Sequence, residues 1–325
     1  MSKTCSMAKL DVAIVGEINL DLILYGLPEH MPTERELLAS GFAVTLGSSS
    51  AILAHNLSAL GSCVGFVTKV GDDSFGALAM ERLRERGVDL AGVAHGAKSG
   101  VTFILPHGPR RHILTYPGTI SELRFEDLDL DYLVSARHFH MSSLFLQREL
   151  LPHVPELFRR MKSAGLTTSL DTNDDPEDRW DSVLEKILPH VDILLPNQRE
   201  AMKMSRADDV ETALSWLAQK VETVVVKMGA SGAVAIRDGH RFSAPAVPVT
   251  VIDPIGAGDS FDAGFLHQFL RGADLTTCLA YGNLCGAFST TDCGGTEAFR
   301  DIARMQEFLR RHDASDQGLR PKVRL

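Results

Sequence analysis

The sequence predicts an α/β protein whose mostly parallel central sheet is covered by helices on both faces. Apolar runs typical of buried strands alternate with amphipathic helical patterns for most of the 325 residues. Two segments, within about residues 19–46 and 100–117, instead carry short alternating runs with turn residues and no helix between them. These segments predict a small antiparallel sheet that projects from the main body.

The predicted elements follow one another in a βαβα order. The strands of the central sheet are predicted at Leu10–Val15, Val64–Val70, Arg137–Met141, Leu166–Leu170, Val191–Leu195 and Thr223–Lys227. The intervening helices are predicted at Ser50–Leu60, Ser74–Arg86, Leu150–Ser163, Trp180–Leu188, Glu200–Met204 and Val210–Lys220. A β-branched run at Val247–Ile252 predicts one more strand, and the chain after Gly256 is predicted to be helical through Arg311 except at Gly294–Gly295. Without a repeat or a long linker, residues 1–325 are expected to form a single domain.

Composition and charge argue against several classes of protein. The formal net charge of −9 disfavours nonspecific binding to nucleic acid or to an anionic membrane, although a small site can still be locally positive. No apolar run reaches membrane-spanning length, and Met1–Lys9 lacks the apolar core of a secretory signal. The 5 cysteines are odd in number and no pair has C-x-x-C spacing, which favours reduced thiols over a disulfide framework or a zinc site. The expected location is the cytoplasm.

The most informative motif is Asp253-Pro-Ile-Gly-Ala-Gly-Asp259, between the last predicted strand and an amphipathic helix. Gly256 and Gly258 allow a sharp turn and a close approach to a ligand. The helix directs its unpaired N–H groups and the positive end of its dipole into the same space. Asp259 adds a carboxylate there, so the motif predicts phosphoryl transfer to a hydroxyl with Asp259 as the base. The alternative is a glycine turn in which Asp259 only starts a helix.

Polar residues also follow the first strand and open the next helix. Asn19 and Asp21 lie where an open parallel sheet binds ligands, and both could hydrogen-bond substrate hydroxyls. Gly47 and Ser48 precede the helix that ends near Gly61, and small residues there let a polar ligand reach the backbone. A polar turn and a serine helix cap are the structural alternatives.

Later strand ends carry polar or glycine-rich turns. Asn197 and Glu200 supply oxygen ligands of the kind that Mg²⁺ prefers, and they also match a capping box. The run Lys227-Met-Gly-Ala-Ser-Gly232 could line a nucleotide pocket, or could form only a hairpin turn. The run Asp171-Thr-Asn173 is either a site-facing turn or a surface loop.

In this order, the motifs resemble those of the ribokinase-like (PfkB) family of sugar and nucleoside kinases, over Val12 to Phe308. Asp253–Gly264 is similar to the C-terminal signature of that family, Gly47–Gly61 to its N-terminal glycine motif and Asn197–Glu200 to its N-x-x-E motif. The resemblance implies a three-layer α/β/α fold in which the two irregular β segments form a lid over the substrate. It also implies ATP and Mg²⁺ as cofactors, a sugar-like acceptor and a homodimer through the lid.

The resemblance assigns a role to each matching residue. Asp259 is implied to be the base, with Gly256, Ala257 and Gly258 as the anion hole for the γ-phosphate. The residues implied to face the sugar are Asn19, Asp21, Gly47, Ser48 and Asp259. The residues implied to border ATP are Asn197, Lys227, Gly229, Ser231, Gly232, Gly256, Gly258 and Asn283. Glu200 and Asn197 are implied to act on Mg²⁺ indirectly, and Asp253 to belong to a K⁺ site of the kind that some members have.

The chain departs from the family pattern at a few positions. Ile52 stands where the glycine motif normally has Asn, and Ser48 replaces its second glycine. Pro254 and Ile255 stand where Thr residues usually follow Asp253, and Pro254 has no N–H to donate. The acceptor therefore stays open between a neutral sugar, a sugar acid and a nucleoside. A non-catalytic binding or regulatory protein on the same scaffold is the remaining alternative.

Overall fold

The computed structural model describes residues 10–108, 110–180 and 183–312. Its strands, numbered in chain order, are β1 (Val12–Val15), β2 (Asn19–Tyr25), β3 (Gly41–Leu46), β4 (Val64–Val67), β5 (Lys69–Gly71), β6 (Ala94–Gly96), β7 (Gly100–His107), β8 (Arg110–Tyr116), β9 (His138–Ser142), β10 (Thr167–Asp171), β11 (Ile193–Leu194), β12 (Thr223–Lys227), β13 (Ala233–Arg237) and β14 (His240–Ala244). Its α-helices are α1 (Ser49–Ala59), α2 (Ser74–Arg86), α3 (Leu130–Val134), α4 (Val154–Ser163), α5 (Val183–Ile187), α6 (Gln198–Ser205), α7 (Val210–Leu217), α8 (Ala257–Phe269), α9 (Leu275–Ser289), α10 (Glu297–Arg300) and α11 (Ile302–His312).

The central sheet has eight strands in the order β14-β13-β12-β11-β10-β9-β1-β4. The strands from β12 to β4 in this order run parallel to one another. The hairpin strands β13 and β14 add an antiparallel edge. Parallel neighbours cannot be joined by a tight turn, so the connections between them cross a face of the sheet, usually as a helix. The predicted α/β class with a mostly parallel sheet is confirmed.

Helices cover both faces of the central sheet, which gives three layers. Along β1, Ala13 and Val15 belong to one apolar core and Val12 and Ile14 to the other, because successive side chains of a strand point to opposite faces. Helices α4 to α7 pack on the first face, and helices α1, α2, α8 and α9 on the second. Helices α1 and α8 are neighbours on that second face.

The smaller sheet has the order β3-β2-β7-β8, and its strands fall within the predicted ranges 19–46 and 100–117. The outer pairs are antiparallel, but the central strands β2 and β7 run parallel. The prediction of an antiparallel sheet is therefore wrong for the central pair. The chain between β3 and β7 contains the long helices α1 and α2, and such a crossover lets β7 run in the same direction as β2.

The predicted strand Val247–Ile252 is wrong, because these residues form no strand between β14 and the glycine turn. Pro245 precedes the segment and Pro248 lies within it, and neither can donate to a strand ladder. The backbone N–H of Ile252 instead donates to Thr290 O at 2.8 Å, beside the end of α9. The β-branched composition reflects strand propensity, whereas the prolines and this contact fix the segment as an extended connection.

Other predicted elements shift or shorten. The predicted strand Val64–Val70 divides into β4 and β5, and β5 pairs with β6 in a separate two-stranded sheet. The predicted strand Val191–Leu195 shortens to β11. Helix α5 starts only after Trp180, whose φ of 47° lies outside the right-handed helical region. The remaining predicted helices agree with the structure within a few residues at each end.

The described residues also bear on the expectations about membranes and thiols. Among them, no helix is long and apolar enough to cross a bilayer. Among the described residues, Cys278, Cys285 and Cys293 carry free thiols. Cys5 and the segment Met1–Lys9 lie outside the described residues.

Candidate active site

Helix α8 begins directly at the glycine turn that the sequence singles out. Gly256 is its N-cap and takes a left-handed conformation with a φ of 71°, which a residue with a Cβ rarely adopts. Among the described residues, the backbone N–H groups of Gly258 and Asp259 have no hydrogen-bond acceptor. Such unpaired N–H groups and the positive end of the helix dipole favour an anion at this position.

The turn packs against α1 through two glycines. A Cβ on Gly256 would lie 2.4 Å from Gly295 Cα and 3.2 Å from Ile52 Cδ1. A Cβ on Gly295 would lie 2.6 Å from the same Ile52 carbon. Ile52 is only 2% exposed. It stands where the family motif normally has Asn, and its side chain packs against both glycines. One turn further along α1, Asn56 Nδ2 donates to Ser260 Oγ and to Gly295 O, both at 2.9 Å.

Asp259 lies in the first turn of α8 and is half-buried. Burial raises the pKa of its carboxyl group to about 6, and the neighbouring Asp171 carboxylate adds to the rise. The Lys227 ammonium and the Ser49 hydroxyl act in the opposite direction. A carboxylate with a raised pKa is a stronger base than an ordinary aspartate, which suits the removal of a hydroxyl proton near neutral pH.

Asp21 of β2 lies near Asp259. Its side chain is buried, and this burial raises its pKa to about 7, with smaller contributions from the Asp259 and Asp253 carboxylates. Gly47 lies directly against Asp21, because a Cβ at position 47 would fall 2.0 Å from Asp21 Oδ1. The absence of a side chain at Gly47 therefore makes room for the Asp21 carboxylate.

Asn19 connects Asp21 to the rest of the smaller sheet. Its Nδ2 donates to Thr102 Oγ1 at 2.9 Å and to Asp21 Oδ1 at 3.3 Å. Thr102 Oγ1 in turn lies 3.1 Å from Thr115 Oγ1 on β8. Donors and acceptors in such a row can bind several hydroxyl groups of one ligand.

Ser48 acts as the N-cap of α1, the structural alternative that the sequence left open. Its Oγ accepts from Ala51 N at 3.5 Å and donates to Glu17 O at 2.5 Å. The buried Glu17 carboxylate accepts from Ser50 Oγ at 2.7 Å. These contacts fix the start of α1, and a sugar contact from Ser48 stays a prediction.

Asn197 and Glu200 form the predicted capping box at the start of α6. Glu200 N donates to Asn197 Oδ1 at 3.0 Å, and Asn197 N donates to Glu200 Oε2 at 2.9 Å. Burial, followed by the Asp171 carboxylate, raises the pKa of Glu200 to about 7. A nearby cation would stabilise the ionised form, and carboxylate and amide oxygens are the donors that hydrated Mg²⁺ accepts. Among the described residues, no three His, Cys, Asp or Glu side chains cluster to hold a metal ion.

Lys227, at the end of β12, is fully engaged with carboxylates. Its Nζ donates to Asp171 Oδ2 at 2.7 Å and to Asp262 Oδ2 at 3.0 Å. Asp171 is buried at the end of β10. The Asp171 turn is therefore directed into the site, and the surface-loop alternative is wrong.

The other residues implied to border ATP lie on two elements. Gly229 and Ser231 are exposed in the turn after β12, and Gly232 enters the antiparallel strand β13, so the hairpin is real. Asn283 on α9 donates through Nδ2 to the backbone carbonyls of Ala244, the last residue of β14, and of Pro245, both at 3.0 Å. A nucleotide contact from these residues stays a prediction.

Asp253 is buried at the start of the glycine turn. Its Oδ1 accepts from Ile255 N at 2.9 Å. Its Oδ2 accepts from Tyr25 OH at 2.8 Å and from Gly294 N at 3.1 Å. These contacts join β2, the glycine turn and the Gly294 loop, and a K⁺ site at Asp253 stays a prediction.

The sequence predictions omit some residues that the structure brings to the site. Asp262 follows Asp259 by three positions on α8, so both lie on neighbouring parts of one helical face, and this spacing could have identified it. Tyr25 and Thr102 reach Asp253 and Asn19 from the smaller sheet. Such long-range contacts leave no local pattern in the sequence.

The fold and the residues at the carboxyl edge of the sheet indicate a phosphotransferase that acts on an alcohol group. Residues 9–301 match the profile of the pfkB family carbohydrate kinases. The chain belongs to that family and is a carbohydrate kinase. The predicted family, fold class and enzyme class are confirmed.

Known proteins similar to this chain include kinases named for different substrates. A 5-dehydro-2-deoxygluconokinase of Geobacillus kaustophilus is 26% identical over 93% of this chain and 94% of its own length. A fructoselysine 6-kinase of Shigella flexneri is 31% identical over 69% of this chain and 81% of its own length. A crystal structure from E. coli, described as a ribokinase II in complex with ATP and Mg²⁺, is 26% identical with a TM-score of 0.80 and covers 93% of this chain and 100% of that chain.

Proposed function

We propose that this protein transfers the γ-phosphate of ATP to a hydroxyl group of a sugar or sugar-like small molecule. The observation that carries the proposal is the position of Asp259, whose pKa is raised to about 6. It stands in the helical turn where the N–H groups of Gly258 and Asp259 have no acceptor among the described residues. A base and an anion-binding site therefore share one turn of helix.

In the proposed reaction, the acceptor hydroxyl lies against Asp259 and is oriented by Asp21 and Asn19. As its oxygen attacks the γ-phosphorus, its proton passes to the Asp259 carboxylate. The bond from the γ-phosphorus to the bridging oxygen breaks, and ADP leaves. The backbone of Gly256–Gly258 stabilises the negative charge on the transferring group.

The nucleotide lies between the glycine turn and the turn that follows β12. The residues that border it in this proposal are Lys227, Gly229, Ser231, Gly232, Asn197 and Asn283. Mg²⁺ held through water near Asn197 and Glu200 supplies positive charge to the phosphates when it is bound. The E. coli relative with ATP and Mg²⁺ supports both cofactors.

The smaller sheet acts as a lid, and its closure limits the access of water to ATP. An apolar row crosses it, in which Leu22 pairs with Val44 and Phe103, and Phe103 pairs with Leu114. Leu114 is 55% exposed and Phe103 40% exposed. Exposed apolar surface of this kind favours association, so we include a homodimer through the lid in the proposal, with residues 1–325 as one cytoplasmic kinase domain.

The class of acceptor is the open part of the proposal, and a panel of acceptors tests it. Neutral sugars, sugar acids and nucleosides are each incubated with ATP and Mg²⁺, and ADP is measured with a coupled assay. We expect ADP formation that depends on one class of acceptor. If no acceptor produces ADP although ligands raise the melting temperature, the protein is the non-catalytic binding protein instead.

The proposed K⁺ site needs a separate measurement. The Asp253 carboxylate already accepts hydrogen bonds from Tyr25, Ile255 and Gly294. Turnover in matched KCl, NaCl and choline chloride decides whether a monovalent cation binds at this loop. Equal turnover in the three salts removes K⁺ from the proposal.

A further inference from the structure

The ammonium group of Lys227 lies beneath the first turns of α8. It forms a three-part contact in which Asp171 comes from β10, Lys227 from β12 and Asp262 from α8. The Lys227 side chain is 10% exposed, and both carboxylate partners are almost fully buried. A single buried ammonium group therefore joins the ends of β10 and β12 to helix α8.

The charges around this group explain why it is ionised. Burial alone would lower the pKa of Lys227, but the carboxylates of Asp171, Asp262 and Glu200 together raise it above its usual range. Burial raises the pKa of Asp262 well above its usual range, with a further contribution from Asp171. The cluster thus retains a positive charge among acidic groups, next to Asp259.

The same ammonium is adjacent to the glycine turn. A Cβ on Gly258 would lie 3.6 Å from Lys227 Nζ, so the ammonium group lies beside the position where a side chain at residue 258 would begin. Lys227 itself is held at its own end, because its backbone N–H donates to Pro196 O at 2.9 Å. The position of Gly258 and Asp259 relative to the sheet is therefore coupled to this ion cluster.

We propose that Lys227 is a positioning residue of the phosphoryl-transfer site, which clamps the first turns of α8 to the carboxyl edge of the sheet through Asp171 and Asp262. This inference rests on the proposed function. It adds a role that differs from nucleotide contact, since Lys227 acts on Gly258 and Asp259 through the helix. It also gives Asp262 a role in the site.

The first test compares Lys227→Met with a matched control, Lys162→Met. Lys162 on α4 pairs with Asp192, which directly precedes β11, whereas Lys227 is the last residue of the parallel strand β12. The control variant therefore also breaks a Lys–Asp pair that joins a helix to a strand end, but at the amino ends of the strands. We expect Lys227→Met to lower kcat ~10²-fold, the order of loss that follows a displacement of about 1 Å in a catalytic group. Lys162→Met should keep wild-type kcat. Melting curves of both variants report whether they fold.

The second test uses the dependence of kcat/KM on pH, which a purely structural role would leave unchanged. Lys227 lowers the pKa of Asp259 and Asp171 raises it. Lys227→Met should therefore move the acid limb to higher pH, and Asp171→Asn should move it to lower pH, each by about one unit. The charged groups near Asp259 that bear on this limb are Lys227, Asp171 and Glu17, together with Asp21 of the smaller sheet.

The outcomes separate this inference from the function on which it rests. If the wild type forms no ADP with any acceptor, the proposed function fails and the inference fails with it. If the wild type is active and a folded Lys227→Met variant keeps its kcat and its acid limb, the inference alone is overturned. If Lys227→Met does not fold, the double variant Lys227→Met/Asp262→Leu, which replaces the ion pair with apolar side chains, takes its place. Wild-type kcat in that folded double variant overturns the inference equally.

Discussion

The phenolic hydroxyl of Tyr25 donates a 2.8 Å hydrogen bond to the Asp253 carboxylate across 228 residues of sequence. Tyr25 belongs to the smaller sheet, and Asp253 precedes the glycine turn that opens α8. The same carboxylate oxygen accepts from Gly294 N at 3.1 Å. A change in the position of the smaller sheet is therefore transmitted directly to the turn that we propose binds the γ-phosphate.

Tyr25→Phe removes this hydrogen bond and keeps the aromatic ring. We expect a loss of about 1 kcal/mol in the free energy of unfolding, the usual value for one hydrogen bond. If the smaller sheet is a lid, ADP formation without acceptor should also rise, since water gains access to ATP. Tyr116→Phe is the control, because the exposed Tyr116 lies on the same sheet and its hydroxyl has no partner among the described residues. Equal acceptor-independent ADP formation in both variants would contradict the coupling.

Asp259→Asn tests the assignment of the base. The amide keeps the size of the side chain but cannot take the hydroxyl proton, so kcat should fall by ~10²–10⁴-fold. The rise in melting temperature on addition of ATP and Mg²⁺ should persist, since the backbone N–H groups remain. Asp238→Asn, at an exposed turn remote from the site, serves as the control. Turnover like that of the wild type in Asp259→Asn would remove Asp259 from the role of base.

The pH dependence of kcat/KM follows from the raised carboxyl pKa values. The base must be ionised to accept a proton, and burial raises the pKa of Asp259 to about 6. Activity should therefore fall as the pH is lowered through about 6. An acid limb of kcat/KM below pH 5 in the wild type would show that Asp259 does not have this environment in the free enzyme.

The raised pKa of Asp21 predicts the direction in which the stability of the folded protein changes with pH. Burial raises its pKa from an ordinary 3.8 to about 7, so the folded protein binds more protons than the unfolded chain between these values. The contribution of Asp21 to the free energy of unfolding is therefore lost as the pH rises through this window. Asp21→Asn should melt at a higher temperature than the wild type at pH 8, and the difference should disappear near pH 4.

The same variant should bind the acceptor less well, because an amide replaces a carboxylate that accepts hydrogen bonds from hydroxyl groups. An increase in the acceptor KM together with a higher melting temperature at pH 8 is the expected pair of results. Lower stability at pH 8 would mean that the Asp21 carboxylate has stabilising partners in the folded protein that outweigh its burial.

The proposed dimer predicts that a charge on the apolar row of the smaller sheet separates the subunits. Leu114 is 55% exposed on β8, and Leu114→Asp should convert a dimer to a monomer in size-exclusion chromatography with light scattering. Phe75→Asp is the matched control, since Phe75 is 40% exposed on α2, outside the smaller sheet. A wild-type protein that is monomeric at micromolar concentration removes the dimer from the proposal.

Local patterns predicted much of the fold and the position of the glycine turn. The alternation of apolar strands and amphipathic helices identified the class, because periodicity reports which face of an element is buried. The capping box of Asn197 and Glu200 is equally local. The prediction of a strand at Val247–Ile252 was wrong, because strand propensity describes single residues. Whether a hydrogen-bonded ladder can form depends on the nearby prolines.

The ion cluster of the site could not be predicted in the same way. Lys227 and Asp171 are 56 residues apart in sequence, and Lys227 and Asp262 are 35 residues apart. Their contact depends on the order of strands in the sheet and on the placement of α8 across it. Sequence patterns predicted that each of these residues lies at a strand end or on a helix. They did not predict which charged side chains lie next to one another and shift one another's pKa.

The contact of Ile52 with Gly256 and Gly295 restricts the order in which these positions can change during evolution. A Cβ at Gly295 would lie 2.6 Å from the Ile52 side chain, so alanine there becomes tolerable only after residue 52 has become smaller. The substitution Ile52→Asn would in turn place a polar group in a buried apolar contact unless its neighbours also changed. The three positions are therefore expected to tolerate substitution only in combination, because each one limits the space at the others.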